Sequence, residues 1–580
     1  MNPKTKIIAG LVMIMAMAVF FRFYGLDQFP PGLYPDEAVN ATDGLRALEN
    51  HNLNWYYPNN NGREGLFINM LALAFKVLGA KVWVFRAVPA LIGSLTVFFI
   101  FLLAKEMFGA GFGLLACFFT AASYWHVNFS RIGFRAIFVP LILCSCFYFL
   151  FWAYNQLVKN KKKALLGFLL AGLIFGIGFH TYIAFRIAPA VVLVFFALAV
   201  WTAWSGKDNS NQKRPGLILK PFLLFGLGAL ITLLPILIVF GTNPEYLGSR
   251  QNDNSISVFD AKNNQGQLIL TIGKMLALTL GQFILWGDNN WRHNLPGSAQ
   301  LSPFEAVMFW LGFVVVTGGF VIGVINSWKL KRNGRLDKFK YFLGKKNITD
   351  DPDAMVLKFG VLLAWFFIML APAFLTVEGI PHALRSIGSL PAVYLILSVP
   401  VYFLLSQACR LKSEKSGRGK IFCPFVKVVV IIGILTTASY NAYNYFVIWG
   451  ESPQAAQAFE KRLVNIGEYL NQSAGKEKKI YVVANIDSKK IDTGFPVSLE
   501  TIRFINWEKR KEQDLVYILP EDTEQIEKAN NEIILEKQDQ ELENRLKRET
   551  GLERQTINLT PEYGEETGFT ILRSWDIGLK

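Results

Sequence analysis

The sequence predicts a mainly α-helical protein, a polytopic membrane bundle of about 11 transmembrane helices followed by a small α/β domain. The first observation is composition, since 52% of the 580 residues are hydrophobic and only 18% are charged, which is unusual for a soluble globular protein. The second is that apolar runs of membrane-spanning length recur along the chain. The third is that short Lys/Arg clusters separate these runs.

The net charge of +15 is concentrated in the membrane part of the chain. Residues 451–580 contain 25 acidic and 19 basic residues, so the positive excess lies entirely in residues 1–450. An excess of basic residues in short loops between apolar runs is typical of the cytoplasmic side of a membrane protein. The charge therefore favours a membrane protein and argues against a nucleic-acid partner.

The basic clusters also predict the orientation of the helices, with the N-terminus inside and the C-terminal segment outside. The clusters expected on the cytoplasmic side are 159–163, 207–220, 329–346 and 410–420. Helices of roughly 20 residues fit between them at 7–24, 83–104, 110–128, 136–157, 164–181, 187–204, 217–240, 304–327, 355–375, 386–406 and 424–446. This pattern predicts a multi-pass protein of the plasma (inner) membrane.

Two further apolar runs, at 65–79 and 268–285, would invert this order if they crossed the membrane. The first run is also short and contains Lys76. We therefore expect both runs to form helices that lie on, or dip into, the outer surface.

A change in composition predicts a domain boundary near Glu451. Residues 1–446 form the expected transmembrane domain, with a first outer loop at about 25–82. Residues 451–580 form the expected soluble extracytoplasmic α/β domain, in which "KIYVVAN" and "DLVYILP" are predicted strands between charged helical stretches.

Ionisable residues converge on the predicted outer face, around the adjacent carboxylates of Asp36 and Glu37. The other members are the five histidines and five boundary arginines: His51, His126, His180, His293, His382, Arg131, Arg135, Arg186, Arg292 and Arg385. A single interfacial arginine usually extends its charge to the lipid headgroups, and a single histidine is usually a hydrogen-bonded polar residue. Ionisable residues near membrane depth are costly and tend to mark sites, so the convergence indicates a functional site.

The order of several sequence blocks resembles the GT-C superfamily of membrane glycosyltransferases. It resembles in particular the dolichyl-phosphate-mannose protein mannosyltransferase-like branch, which includes the bacterial aminoarabinose transferases. The resemblance covers roughly residues 1–446. Its blocks are the Asp-Glu pair after the first helix, "GREGLF", "FRAVPALIGSLTVFFIFLLAKEMFG" (85–109), "AASYWHVNFSRIGFRAIFVP" (121–140), "GFHTYIAFRIAP" (178–189) and "GIPHALRSIGSLP" (379–391).

This resemblance implies a GT-C type bundle that acts as a hexosyl- or mannosyltransferase-like enzyme. The implied donor is a sugar on a polyprenyl phosphate, and the implied acceptor is a protein, lipid or glycan on the extracytoplasmic side. The sugar would be transferred with inversion at the anomeric carbon. Asp36 matches the family's catalytic carboxylate, and Glu37 matches its neighbour.

The residue types suit that chemistry. An acceptor hydroxyl is a poor nucleophile, so a positioned carboxylate must take its proton; Asp36 is the expected base and Glu37 supports it. The leaving phosphate gains charge, which the planar guanidinium of arginine binds well, and Arg385 is the first choice. The other candidates for donor phosphate or sugar binding are Arg131, Arg135, Arg186, His126, His180, Tyr182 and His382.

The chain also departs from the superfamily pattern. The second outer loop, "NFSRIGFRA", has no acidic residue, although some relatives place one there. The Trp-Trp-Asp motif typical of oligosaccharyltransferases is missing from the sequence, which disfavours transfer of a whole oligosaccharide to Asn. We predict no cofactor and no metal site, because no spacing motif supports one, although Asp36, Glu37 and a nearby histidine are able to bind a divalent ion.

Two other classes of function remain as alternatives. A transporter or flippase of a lipid-linked sugar would also place arginines and histidines along a substrate path, but the inverted repeats and broken helices of transporters do not stand out in the sequence. A scaffold whose C-terminal segment recruits partners is the second alternative. Neither accounts for Asp36 and Glu37 in a large first outer loop.

Overall fold

A computed structural model describes most of the chain. The described residues are 2–205, 216–248, 257–333, 351–411, 417–473, 478–487, 490–491, 494–512, 514–527, 531–557 and 567–573. The basic clusters predicted at 207–220, 329–346 and 410–420 lie largely outside these residues.

The described part is mainly helical. Its helices are α1 (Pro3–Phe23), α2 (Pro35–Glu49), α3 (Leu66–Leu78), α4 (Val82–Phe108), α5 (Ala110–Ala122), α6 (Tyr124–Arg131), α7 (Phe138–Gln156), α8 (Lys161–Ile177), α9 (Ala188–Ser205), α10 (Gly216–Thr242), α11 (Glu245–Gly248), α12 (Ala261–Asn264), α13 (Leu268–Gly281), α14 (Pro303–Asn333), α15 (Pro352–Phe374), α16 (Leu390–Leu411), α17 (Gly417–Tyr443), α18 (Pro453–Ala458), α19 (Lys461–Gln472), α20 (Leu499–Ile505) and α21 (Gln540–Thr550). Its strands are β1 (Tyr56–Tyr57), β2 (Arg63–Glu64), β3 (Lys479–Val483), β4 (Asp514–Ile518), β5 (Asn531–Leu535), β6 (Glu553–Ile557) and β7 (Phe569–Arg573).

Within the described residues, ten helical segments are long and apolar enough to cross a membrane. They contain α1, α4, α7, α8, α9, α10, α14, α15, α16 and α17, and they coincide with ten of the eleven predicted helices. The predicted polytopic bundle is confirmed, and the protein is an integral multi-pass membrane protein.

The remaining predicted helix, at 110–128, is a bent pair. Helices α5 and α6 meet at 58°, because Ser123 adopts an extended backbone and accepts the backbone N–H of His126 at 3.0 Å. The break exposes carbonyls in the last turn of α5. Arg22 of α1 donates to two of them, the carbonyls of Thr120 and Ala121, at 3.2 Å each. The bend is therefore stabilised by a side chain from another helix.

A contact between distant parts of the chain fixes the parity of the crossings. Arg46 of α2 donates to Glu500 of α20 at 2.7 Å, so the segment after α1 and the segment after α17 lie on one face. If the bent pair counts as one span, the total is eleven, and the ten spans after α1 return the chain to that same face. The contact therefore favours a single crossing by α5 and α6 together.

The two extra apolar runs form helices too short to span a membrane. Helix α3 has 13 residues and α13 has 14, so each is about 20 Å long, against a hydrocarbon core of about 30 Å. Helix α3 buries Phe67 and Leu71 and packs against α2.

The backbone at Asp36 is helical. The sequence placed Asp36 in the first outer loop, and it lies in the first turn of α2. Pro35 occupies the first helical position, where its missing N–H is not needed, and Tyr34 before it is extended. Glu37 accepts the backbone N–H of Tyr34 at 3.1 Å, which caps the helix.

The C-terminal segment forms a five-stranded mixed sheet with helices on both sides. The strand order is β4-β3-β5-β7-β6; β3 is parallel to β4 and β5, whereas β7 is antiparallel to β5 and β6. One face packs against α19 and α20, and the other against α21. Strands β3 and β4 are the two that the sequence predicted. Whether residues 451–580 fold as an independent domain stays a prediction.

Candidate active site

A cavity of about 560 Å³ lies beside the first turn of α2 and is lined by Asp36. The half-buried carboxylate of Asp36 accepts a hydrogen bond from Asn60 Nδ2 at 2.7 Å. Asn60 lies in the turn between β1 and β2 with φ of +50°, a left-handed conformation that asparagine adopts more readily than most residues. The short β1–β2 hairpin thus brings an amide donor to the predicted base.

A buried polar network holds α2 and the β1–β2 hairpin together beneath Asp36. Arg63 of β2 forms an ion pair with Asp43 of α2, with both side chains almost fully buried. The same guanidinium donates to Asn40 Oδ1 at 2.8 Å, and Asn40 Nδ2 donates to the backbone carbonyl of Asp36 at 2.9 Å. Because these groups are buried and hydrogen-bonded, they fix the backbone that carries Asp36.

Glu37 faces away from the cavity. Its side chain is fully buried, and its Oε1 accepts the backbone N–H of Gly133 at 2.7 Å, while Oε2 caps α2 as described above. Burial raises the pKa of Glu37. The sequence grouped Glu37 with Asp36 as catalytic, but the structure places it where it ties the start of α2 to the loop after α6.

Four arginines line the cavity: Arg63, described above, and three others. Arg135 forms a buried ion pair with Glu64, and Arg385 donates to Thr376 Oγ1 at 2.8 Å and to Glu378 Oε2 at 3.2 Å. The third, Arg292, lies over the ring of Tyr34 at 3.9 Å from its centroid. Their convergence gives the cavity the positive charge that binding of a phosphate needs.

A second cavity, of about 580 Å³, adjoins the first. Arg385, Tyr182 and His382 line both cavities, so they lie at the junction. Arg186 lines the second cavity. Much of the remaining wall is apolar and includes Ile183, Ile187, Pro372 and Leu375.

Arg131 does not reach either cavity, in contrast to the predicted phosphate contact. Its buried guanidinium donates to four backbone carbonyls at the end of α1 and in the segment that follows it: Phe21, Tyr24, Gly25 and Phe29. Arg86 donates to the carbonyls of Leu26, Pro30 and Gly32. The two arginines therefore hold the connection between α1 and α2.

Two of the predicted histidines also lie outside the cavities. His126 is fully buried, with Nδ1 at 2.6 Å from the guanidinium of Arg22. His180 Nε2 lies 2.7 Å from the backbone carbonyl of Thr232 on α10. Both rings are therefore engaged in contacts between helices and line neither of the two cavities.

His382 lies beside His293 and Asp288 in the cavity wall. His293 Nδ1 is 2.9 Å from Asp288 Oδ2, and His382 Nδ1 is 3.6 Å from the same oxygen. Burial, followed by the charges of His293 and Arg385, lowers the pKa of His382 to about 3. Two loops that are distant in sequence, one before α14 and one before α16, meet at Asp288.

Comparison with known proteins supports the resemblance seen in the sequence. Residues 66–239 match the family model of dolichyl-phosphate-mannose-protein mannosyltransferases, and no curated protein matches the chain. The structure is similar to that of ArnT from Cupriavidus metallidurans bound to undecaprenyl phosphate, with 12% identity and a TM-score of 0.54 over 98% of this chain and 99% of ArnT. At this level of identity, the likeness to ArnT shows a shared fold.

A second solved structure similar to this chain is the archaeal oligosaccharyltransferase AglB from Archaeoglobus fulgidus in complex with an inhibitory peptide and a dolichol-phosphate. Identity is 14% and the TM-score is 0.47, over 89% of this chain. The chain spans 64% of the length of AglB. The likeness to ArnT, in contrast, extends over nearly the whole of both chains, including the C-terminal sheet.

Several cavity residues were not predicted from the sequence. They are Arg63, Asn60, Tyr34 and Arg292, of which Arg292 was noted only as a boundary arginine. The run of three asparagines before "GREGLF" is typical of a turn with positive φ, and this local signal was available. The approach of Arg292 to Tyr34 was not predictable, because it depends on the packing of two distant loops.

Proposed function

We propose that the chain is a membrane glycosyltransferase that moves a sugar from a polyprenyl-phosphate donor to an acceptor hydroxyl. The observation that carries this proposal is the pair of adjoining cavities, one polar with Asp36 and four arginines, the other largely apolar, with Arg385 at their junction. The resemblance to the GT-C superfamily and the undecaprenyl phosphate bound by ArnT support it. The match of residues 66–239 favours mannose or another hexose as the transferred sugar.

The two cavities suit the two ends of such a donor. The sugar would occupy the polar cavity beside Asp36, and the first isoprenoid units would lie against Ile187 and Leu375 in the apolar one. The phosphate between them would then be next to Arg385 at the junction. A charge-assisted hydrogen bond from arginine to phosphate is roughly twice as strong as a neutral one, so this position would anchor the donor.

In the proposed reaction, Asp36 accepts the proton of the acceptor hydroxyl as its oxygen attacks the anomeric carbon. The bond between that carbon and the phosphate oxygen breaks on the opposite side, which inverts the anomeric configuration. The leaving lipid phosphate takes the bonding electron pair and gains charge, which Arg385, Arg135 and Arg292 would stabilise. The acceptor would reach Asp36 from the extracytoplasmic side.

The test is turnover of purified protein with a panel of polyprenyl-phosphate sugars, measured as released lipid phosphate. Replacing Asp36 by Asn removes the base and keeps the size of the side chain, so transfer should fall by roughly 10²–10⁴-fold while donor binding persists. Asp27→Asn is the matched control, because Asp27 is an exposed carboxylate of the same segment. Near wild-type transfer by folded Asp36→Asn would show that Asp36 is not the base. Donor movement across vesicles without sugar transfer would favour the flippase alternative.

A further inference from the structure

Asp288, His293 and His382 form a compact cluster of metal-binding side chains. One possible ligand atom from each of the three lies within 4.8 Å of the others. The Nδ1 atoms of both histidines face the same oxygen, Asp288 Oδ2, at 2.9 and 3.6 Å. The sequence contains no metal motif for this cluster, because its members come from two loops that meet only in the folded chain.

These separations fit nitrogen and oxygen ligands around one small divalent ion. Zinc binds histidine nitrogen and carboxylate oxygen at about 2.0–2.2 Å in tetrahedral geometry, which places neighbouring ligand atoms about 3.3 Å apart. The two observed separations lie on either side of that value. An ion would replace the direct contact between His293 and Asp288 with bonds to both.

Hydrogen bonding within the protein leaves one of these nitrogens unpaired. His382 Nδ1 is buried and has no hydrogen-bond partner among the described residues, because Asp288 Oδ2 lies beyond hydrogen-bond distance. The ring of His382 is tilted by 31° against that of His293, with centroids 4.9 Å apart. A buried nitrogen without a partner costs free energy, and coordination to a metal would satisfy it.

Asp288 is itself held in the way that metal-bound carboxylates are held. Its side chain is 4% exposed, Oδ1 accepts the backbone N–H of Asn290 at 2.8 Å, and Oδ2 accepts that of Ala383 at 2.9 Å. Such outer hydrogen bonds orient the ligands of metal sites and raise their affinity. The hydrogen bond from Ala383 joins the loop before α14 to the loop before α16.

We propose that Asp288, His293 and His382 bind a divalent ion of the zinc class, with a fourth coordination position open to the cavity. His293 and His382 line the same cavity as Asp36, and three protein ligands with one open position are typical of zinc sites that bind a substrate. On the basis of the proposed function, the group that takes the open position is a phosphate oxygen of the donor. The metal would then share the phosphate with Arg385.

Titration with Co²⁺ tests the metal site without any sugar donor. Purified protein is stripped with a chelator, and the visible absorption of tetrahedral Co²⁺ is followed to its end point. We expect one equivalent to bind wild-type protein, and binding to weaken by roughly tenfold or more in His382→Gln and Asp288→Asn. The matched control is His51→Asn, since His51 is exposed with φ of +52°, which asparagine tolerates.

Two results would overturn the metal site. One is a folded wild-type protein that binds no stoichiometric Co²⁺, and the other is undiminished binding by both His382→Gln and Asp288→Asn, whose folding is checked by size-exclusion chromatography. Inorganic phosphate should alter the Co²⁺ spectrum if the fourth position is open, and an unchanged spectrum would refute the open position.

The metal site and the proposed function fail in different ways. If Co²⁺ binds as expected and every polyprenyl-phosphate sugar is inert, the metal site stands and the transferase proposal falls. If chelator-treated protein transfers sugar and binds no Co²⁺, the transferase proposal stands and the metal site is refuted. Asp36→Asn should keep wild-type Co²⁺ binding, because Asp36 is not one of the three ligands.

Discussion

At the scale of the residue, the roles of the arginines are decided by their partners. Arg131 and Arg86 are fully buried and donate to seven backbone carbonyls between them. Arg385 is 19% exposed and lines both cavities. Its partners, Thr376 and Glu378, leave part of its guanidinium facing the cavities. The same residue type therefore supports the backbone in one place and is available to a ligand in another.

Replacing Arg385 should weaken donor binding. Each charge-assisted hydrogen bond is worth roughly 1.5–3 kcal/mol, so Arg385→Ala should raise the dissociation constant for the donor roughly 10- to 100-fold. Arg385→Lys should restore only part of this, because an ammonium lacks the planar fork. The measurement is equilibrium binding of a polyprenyl-phosphate sugar to protein in nanodiscs.

Two further arginine variants serve as comparisons for the donor binding of Arg385→Ala. Arg548→Ala should bind donor as wild type does, since Arg548 is exposed in the C-terminal segment. Arg131→Ala should lower the unfolding temperature, because it leaves four backbone carbonyls without this donor. Unchanged donor affinity in Arg385→Ala would show that Arg385 only orders the loop around Glu378.

At the scale of the element, the sequence predicts lengths and positions well, because hydrophobic runs and basic clusters are local features. Ten helices and strands β3 and β4 lie where they were predicted. The bend between α5 and α6 was not predictable, because the carbonyls it exposes are satisfied by Arg22 of α1. The same holds for the site. The position of Asp36 follows from its place after the first helix, whereas Asp288 meets His382, and Arg292 meets Tyr34, only through the packing of distant loops.

Helix α2 provides an element-scale prediction through Glu37. Both carboxylate oxygens accept backbone N–H groups, from Gly133 and Tyr34, and Gln offers only one acceptor oxygen. Glu37→Gln should therefore leave one N–H opposite an amide NH₂, a cost of about 1–3 kcal/mol. We expect a lower unfolding temperature and a reduction in transfer that is clearly smaller than that of Asp36→Asn. An equal loss of turnover in the two variants, at equal stability, would give Glu37 a direct part in the chemistry.

At the scale of the whole molecule, the C-terminal segment contacts the part of the chain that carries Asp36. Glu500 of α20 is fully buried and accepts from Arg46 at 2.7 Å, from Arg503 at 2.8 Å and from Thr42. Next to it, the Thr501 hydroxyl donates to the carbonyl of Leu33 at 3.2 Å, three residues before Asp36. The sheet of the C-terminal segment therefore helps to position α2.

This contact has a defined pH dependence. Burial alone would raise the pKa of Glu500, but Arg46 and Arg503 outweigh it and hold the pKa below its ordinary value of 4.5. The ionised carboxylate of Glu500 therefore stabilises the folded state in full above pH 4.5. This contribution is lost as the pH falls through the lower pKa that Glu500 has in the folded state. Glu500→Gln should thus lower the unfolding temperature at pH 7, with the difference from wild type shrinking only below about pH 4.5. A difference that is the same at all pH values would show that the ionised carboxylate is not the stabilising species.

The orientation of the whole bundle is the remaining prediction. The contact between Arg46 and Glu500 places the Asp36 segment and the C-terminal sheet on one face, and the basic cluster at 159–163 is expected on the opposite, cytoplasmic face. The two faces are distinguished by labelling single cysteines in a protein whose five native cysteines have been replaced. The cysteines are introduced one at a time at the exposed positions Leu53, Lys162 and Glu541. A membrane-impermeant maleimide added to intact cells should label Leu53→Cys and Glu541→Cys, and should label Lys162→Cys only after the membrane is permeabilised. The reverse pattern would put the cavity in the cytoplasm and remove the extracytoplasmic acceptor from the proposal. Labelling of Leu53→Cys and Lys162→Cys from the same side would contradict the eleven-span arrangement itself.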